Sequence, residues 1–120
     1  MAQSASVELL HVTKRFGAAL AVHDLDLTVF EGEFFALLGP SGCGKTTTLR
    51  LIGGFDRPDS GEIRIAGERV NDQPPYRRRA NMVFQQYALF PHLTVQDNVA
   101  FGLRVRAQRL SAVEVARRVH

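Results

Sequence analysis

The sequence holds a single cysteine, Cys43, which excludes an internal disulfide and any zinc site built on cysteines. Its four histidines are scattered and show no metal-ligand spacing. No apolar run approaches the roughly 18 residues of a membrane span. The longest lies near Phe34. Residues 1–6 lack the basic-then-apolar pattern of a secretory signal, so a cytosolic protein is expected. Charge of one sign is also scarce. Fifteen Lys and Arg against twelve Asp and Glu leave +3, too little to argue for nucleic acid, and no such partner is expected.

What charge there is lies unevenly. Arg77, Arg78 and Arg79 are consecutive, and beyond Asp97 the residues Arg104, Arg106, Arg109, Arg117 and Arg118 are set against Glu114 alone. Such runs read as a solvated helix face, with an anionic partner or a membrane-facing surface as the alternative. The 120 residues are 45% apolar and 22% charged, which fits one soluble domain with a real core and excludes two full domains.

Along the chain, Val7 to Val12 reads as a strand. Asp24 to Val29 alternates, with Leu25, Leu27 and Val29 inward. Glu31 to Glu33 is a turn. Phe34 to Leu38 is apolar without alternation, the pattern of a strand buried on both faces of a parallel sheet. A glycine-rich loop, Gly39 to Gly44, leads into a helix from Lys45 to Ile52 that ends near Gly53-Gly54. After a turn cluster at Arg57 to Gly61, Glu62 to Ala66 alternates with Ile63 and Ile65 on one face. Asn71 to Pro75 is a loop, and Met82 to Phe84 is a second candidate core strand. Thr94-Val95-Gln96-Asp97 and Ser111-Ala112-Val113-Glu114 each mark a helix start. The last helix shows no stop signal before His120, and central strands are few for a doubly wound sheet. The chain is therefore expected to be part of a domain.

The chemistry sits in Gly39-Pro40-Ser41-Gly42-Cys43-Gly44-Lys45-Thr46, a match to G-x-x-x-x-G-K-[ST]. Composition alone would give this match in on the order of one in a few hundred chains of this length, and the strand-loop-helix context lowers that further. Gly42 and Gly44 can take backbone angles that turn successive N–H groups inward as an anion nest. The helix start adds its positive end. Lys45 offers a full charge to the β- and γ-phosphates, and the Thr46 hydroxyl suits Mg²⁺. Thr47 is placed for the α-phosphate. Cys43 occupies a variable position with no chemistry of its own. The loop alone does not separate ATPases, GTPases and small-molecule kinases; the guanine-specifying Asn-Lys-x-Asp motif is absent.

The flanks of this loop resemble the nucleotide-binding subunits of ABC transporters. The resemblance runs from about Val7 to Val119 and rests on the loop Gly39 to Thr47, on Pro58-Asp59-Ser60-Gly61-Glu62-Ile63, and above all on Val83-Phe84-Gln85-Gln86-Tyr87-Ala88-Leu89-Phe90-Pro91-His92-Leu93-Thr94-Val95 followed by Asn98 to Leu103. It implies an α/β fold: a P-loop NTPase core with an antiparallel β subdomain and the start of a helical subdomain, as an incomplete domain. Residues 1–93 would hold the β subdomain, the P-loop core and the Q-loop; residues 94–120 would begin the helical subdomain.

The resemblance also implies roles. Phe16 would stack on adenine, a contact that needs no base-edge hydrogen bonds. Gly39, Pro40, Ser41, Gly42, Cys43, Gly44, Lys45, Thr46 and Thr47 would cradle ATP. Gln85, with Gln86 as neighbour, would be the Q-loop glutamine that reaches Mg²⁺ or the attacking water. Thr46 and Gln85 would be the Mg²⁺ residues, and Lys45 and Gln85 the catalytic ones. Tyr87 to Leu93 resembles the surface that receives a helix of the permease. The partners implied are ABC permease membrane subunits and a second ATP-binding subunit, giving a homodimer peripheral at the cytoplasmic face of the membrane.

Pro74-Pro75-Tyr76-Arg77-Arg78-Arg79 resembles polyamine importers first, then those for sugars, iron(III) or sulfate. Against the family pattern, the sequence has no Leu-Ser-Gly-Gly-Gln signature, no apolar strand ending in Asp-Glu and no histidine after such a strand. An ABC-type ATPase by family is therefore expected to be inactive as these 120 residues alone. A truncated, non-catalytic permease- or nucleotide-binding module is the alternative. Half a sheet would also leave apolar faces and strand edges open to aggregation.

Overall fold

The computed structural model describes residues 3–40, 42, 44–104 and 111–119. They divide into two compact units, Met1–Met82 and Val83–His120. Among the described residues no helix is long and apolar enough to cross a membrane.

The first unit is built on an antiparallel sheet. Strands β1 (Ala5–Phe16) and β2 (Ala19–Phe30) form a hairpin, and β3 (Ser60–Ile65) and β4 (Glu68–Arg69) extend it in the order β2-β1-β3-β4. The alternation of Leu25, Leu27 and Val29 is kept, with all three half-buried. Both hairpin strands run longer than their alternation predicts. The period breaks at register shifts between Leu9 and Val12 and between Val12 and Lys14, so pairing continues where the pattern does not.

Helix α1 (Lys45–Gly53) lies over this sheet. Its Leu51 is fully buried with Leu9, Val12, Val22, Ile63, Ile65 and Val70. Truncating a core leucine of this kind costs about 2–5 kcal/mol, so Leu51 anchors the helix that follows the glycine-rich loop. Gly54 ends α1 in the left-handed region. Buried Asn71 ties the β3–β4 end: its Oδ1 accepts the Ile63 N–H at 2.8 Å and its Nδ2 donates to the Gly61 carbonyl at 3.0 Å.

Two expected core strands do not form. Phe34 to Leu38 pairs with no described residue, and Phe34 and Leu38 are 96% and 92% exposed. Met82 to Phe84 likewise takes no strand conformation, and Val83 is 78% exposed. A parallel strand needs a neighbour delivered by a crossover connection, and none of the described residues supplies one. The apolar runs are present; the edges they would pair with are not among these residues.

The arginine cluster also divides. Arg77 and Arg79 are exposed, but Arg78, which follows a single 3₁₀ turn at Pro75–Arg77, is buried. Its Nε donates to the Gln73 carbonyl at 2.9 Å, and its Nη1 donates to the carbonyls of Leu51 at 2.7 Å and Ile52 at 3.1 Å. A cation at a helix C-terminus is favourable, so Arg78 latches the end of α1 rather than meeting solvent. Burial, then the charge of Arg57, pushes its guanidinium below the ordinary range.

The second unit contains α2 (Val95–Arg104) and α3 (Ala112–Val119). Both start where the capping patterns predict: Thr94 Oγ1 accepts the Asp97 N–H at 3.1 Å and Ser111 Oγ accepts the Glu114 N–H at 3.2 Å. Among its described residues, Ala100 and Val115 are buried. Arg117 and Arg118 both pair with Glu114, at 2.6 and 2.8 Å, and are largely solvent-facing. Arg106 and Arg109 lie outside the described residues.

Candidate functional site

The site is set by how α1 begins. Gly44 precedes the helix with φ 95° and ψ 1°, in the left-handed region. Among the described residues no side chain caps the helix, which leaves its first N–H groups to meet an anion. The Gly44 carbonyl accepts from both the N–H and the hydroxyl of Thr48, each at 2.8 Å, which fixes the first turn. A β-carbon on Gly44 would also collide with the sheet, so glycine is required there on two counts.

Lys45 is half-buried, and its Nζ donates to the carbonyl oxygen of Gly39. This bond closes the loop across its own neck. Thr46 is exposed and Thr47 half-buried on the same turn. Gly39, Pro40 and Gly42 are exposed. Ser41 and Cys43, two of the expected cradle residues, lie outside the described residues.

Beside this turn is a cleft of about 320 Å³. Gly44, Lys45 and Thr48 form one wall, and Ala21, Val22, His23 and Leu25 of β2 face them. Leu37 and Leu38 complete it. The β2 wall is not legible in the phosphate-loop motif. Its only trace is that the alternation of Leu20 and Val22 precedes Asp24, which extends the strand back toward the loop. Phe16, at the end of β1, is half exposed and is not a wall of this cleft. The Lys14 ammonium stands 5.1 Å from its ring centroid.

Gln85 and Gln86 belong to the second unit and are exposed. Tyr87 and Ala88 follow with φ 61° and 49°, a left-handed pair of non-glycine residues. Tyr87 and Leu89 project to solvent, 72% and 67% exposed.

A second polar cluster sits on the hairpin. His11 Nδ1 donates to Asp24 Oδ1 at 2.9 Å, and Asp26 accepts the His11 backbone N–H at 2.8 Å. The Asp24 hydrogen bond, then the charges of Asp26 and Asp24, hold the His11 imidazole above its ordinary value. His11 and Asp24 both have positive φ, at 51° and 45°.

Chemically, a left-handed glycine, an uncapped helix start, a lysine and a threonine on one turn make a cradle for a polyphosphate. The Thr46 hydroxyl, on an exposed residue of the same turn, is of a ligand type that suits Mg²⁺.

Comparison with known proteins agrees in kind. The sequence profile described as ABC transporter matches residues 22–120. The chain is 65% identical over 99 residues to the spermidine/putrescine import ATP-binding protein PotA of Rubrobacter xylanophilus, covering 82% of this chain and 26% of that protein. It is 56% identical over 114 residues to the protein of the same name in Nitratidesulfovibrio vulgaris, covering 95% and 30%. The chain thus spans less than a third of the length of these relatives. Among solved structures, the dimeric post-hydrolysis state of the ATP-binding cassette MJ0796 bound to ADP and Pi superposes with a TM-score of 0.80 at 36% identity, over 94% of this chain and 53% of that one.

Proposed function

The chain belongs to the ABC transporter family, and from that premise we propose that it is the N-terminal part of the ATP-binding subunit of an importer, with polyamines such as spermidine and putrescine as the solute. The observation that carries the proposal is the start of α1: a left-handed Gly44, uncapped helix N–H groups and Lys45 at the mouth of a cleft. The solute assignment rests on the names of the relatives.

In this reading the loop from Gly39 to Thr47 binds the phosphates of ATP. Lys45 moves its ammonium from the Gly39 carbonyl to the β- and γ-phosphates. Thr46 holds Mg²⁺, which when bound offsets charge on the phosphate oxygens. Thr47 supports the α-phosphate, and Phe16 offers an aromatic face to adenine. Gln85 is the residue of the second unit proposed for Mg²⁺ and the attacking water. Tyr87 to Leu93 is the docking loop for a permease membrane subunit. The intact protein would be peripheral at the cytoplasmic face of the membrane and would pair with a second copy; the dimeric ATP-binding cassette among the structural relatives supports that pairing.

The test is nucleotide binding by calorimetry with Mg·ATP, Mg·GTP and the Lys45→Ala variant. Hydrogen bonds to charged groups contribute about 1.5–3 kcal/mol, so K45A should weaken ATP binding by about tenfold or more. Equal binding by K45A, or a strong preference for GTP, would overturn the reading.

A further inference from the structure

The loop before α2 is exposed, yet one side chain holds it at several points. Asn98 Oδ1 accepts the Phe90 N–H at 2.9 Å. Its Nδ2 donates to the Thr94 carbonyl at 2.9 Å and to the carbonyls of Phe90 and Leu93 at 3.3 Å each. One amide therefore grips both backbone groups of Phe90. The Phe90 ring is fixed as well: it lies 4.6 Å from the Phe101 ring and meets His92 edge-on at 5.9 Å.

These bonds are not a helix cap. Thr94 already caps α2 through the Asp97 N–H. Asn98 spends its donors on loop carbonyls, and the segment it restrains carries exposed Tyr87 and Leu89. Ordering it in advance removes an entropic cost from any event in which it binds.

We propose that Asn98 is the positioning residue of the docking loop: its amide preforms Tyr87 to Leu93 so that the exposed Tyr87 and Leu89 meet an apolar helix of the membrane subunit. This rests on the docking role given to that loop above. Asn98 touches neither nucleotide nor partner in this scheme; it acts through Phe90 and Leu93.

The experiment uses the full-length protein with its own permease in nanodiscs. Hydrogen exchange at the Phe90 amide is followed in N98A and N98D, beside permease affinity and ATP affinity. In N98A the Phe90 amide should exchange faster, permease affinity should fall about tenfold, and ATP affinity should be unchanged. N98D keeps the acceptor for the Phe90 N–H but loses both donors, so it should retain protection there and lose part of the permease affinity. Unchanged exchange in N98A, or faster exchange with wild-type permease affinity, overturns the proposal. If N98A does not fold, wild-type permease affinity in N98D overturns it. A Tyr87→Ala, Leu89→Ala double variant separates the two ideas: if it assembles like wild type, the docking role of the loop fails whatever Asn98 does.

Discussion

Gly44 lies so close to Ala21 that a β-carbon built on it would stand 2.6 Å from the Ala21 carbonyl oxygen. The obstacle is strand backbone near the start of β2, which cannot easily give way. Gly44 also has φ 95°. Gly44→Ala should therefore cost at least about 1–3 kcal/mol from the left-handed backbone alone, with the collision added. Because the same residue shapes the phosphate loop, ATP binding should fall with it. Chemical denaturation and calorimetry on G44A check both. Wild-type stability would show that the loop and β2 are not packed in this way.

Arg78 should matter for stability and not for charge on the surface. Its guanidinium serves the carbonyls of Leu51, Ile52 and Gln73. Arg78→Met would leave buried acceptors unpaired at about 1–3 kcal/mol. Arg78→Lys keeps the charge but lacks the planar fork, so it should recover only part of the loss. Arg77→Met and Arg79→Met, at exposed positions, should change stability little. Denaturation midpoints of the four variants decide it.

The His11 clasp gives a pH signature. Its imidazole is raised above the ordinary value first by the Asp24 hydrogen bond and then by the Asp26 charge. A raised folded-state value means the clasp stabilises fully when pH is below the ordinary histidine range and fades as pH rises through the raised value. Because the group is exposed, the effect on stability should be small. NMR titration should find His11 above its ordinary value and lowered by Asp24→Asn. No change on that substitution would refute the pairing.

Catalysis is expected to be missing from these 120 residues on their own. The proposed phosphate cradle lies within them, but the sequence has neither the Leu-Ser-Gly-Gly-Gln stretch nor an apolar strand ending in Asp-Glu. Phosphoryl transfer needs positioning and charge stabilisation together. Phosphate release should match the Lys45→Ala control. Turnover that K45A abolishes would show that the missing parts are dispensable.

Local signals were legible wherever neighbours in sequence supply the partners. The helix starts at Thr94 and Ser111, the glycine end of α1 and the alternation of Ile63 and Ile65 all involve residues within one turn or one strand. The left-handed Gly44 at the start of α1 belongs to the same class, since its conformation is set by its own backbone.

By itself, then, the sequence determined the glycine-rich loop before α1, the helices and the family, because each depends on residue types at short, fixed spacings. Tertiary structure alone decided the rest. Val22 and Ala21 became a wall of the cleft because β2 folds back over α1. Arg78 became a buried latch because the end of α1 presents carbonyls to it, and Asn98 became a clamp because the loop before α2 turns back onto it. Phe34 to Leu38 reads as a core strand but stays unpaired among the described residues. Apolar content can mark a strand for burial, but only a neighbouring edge and an opposing face can bury it.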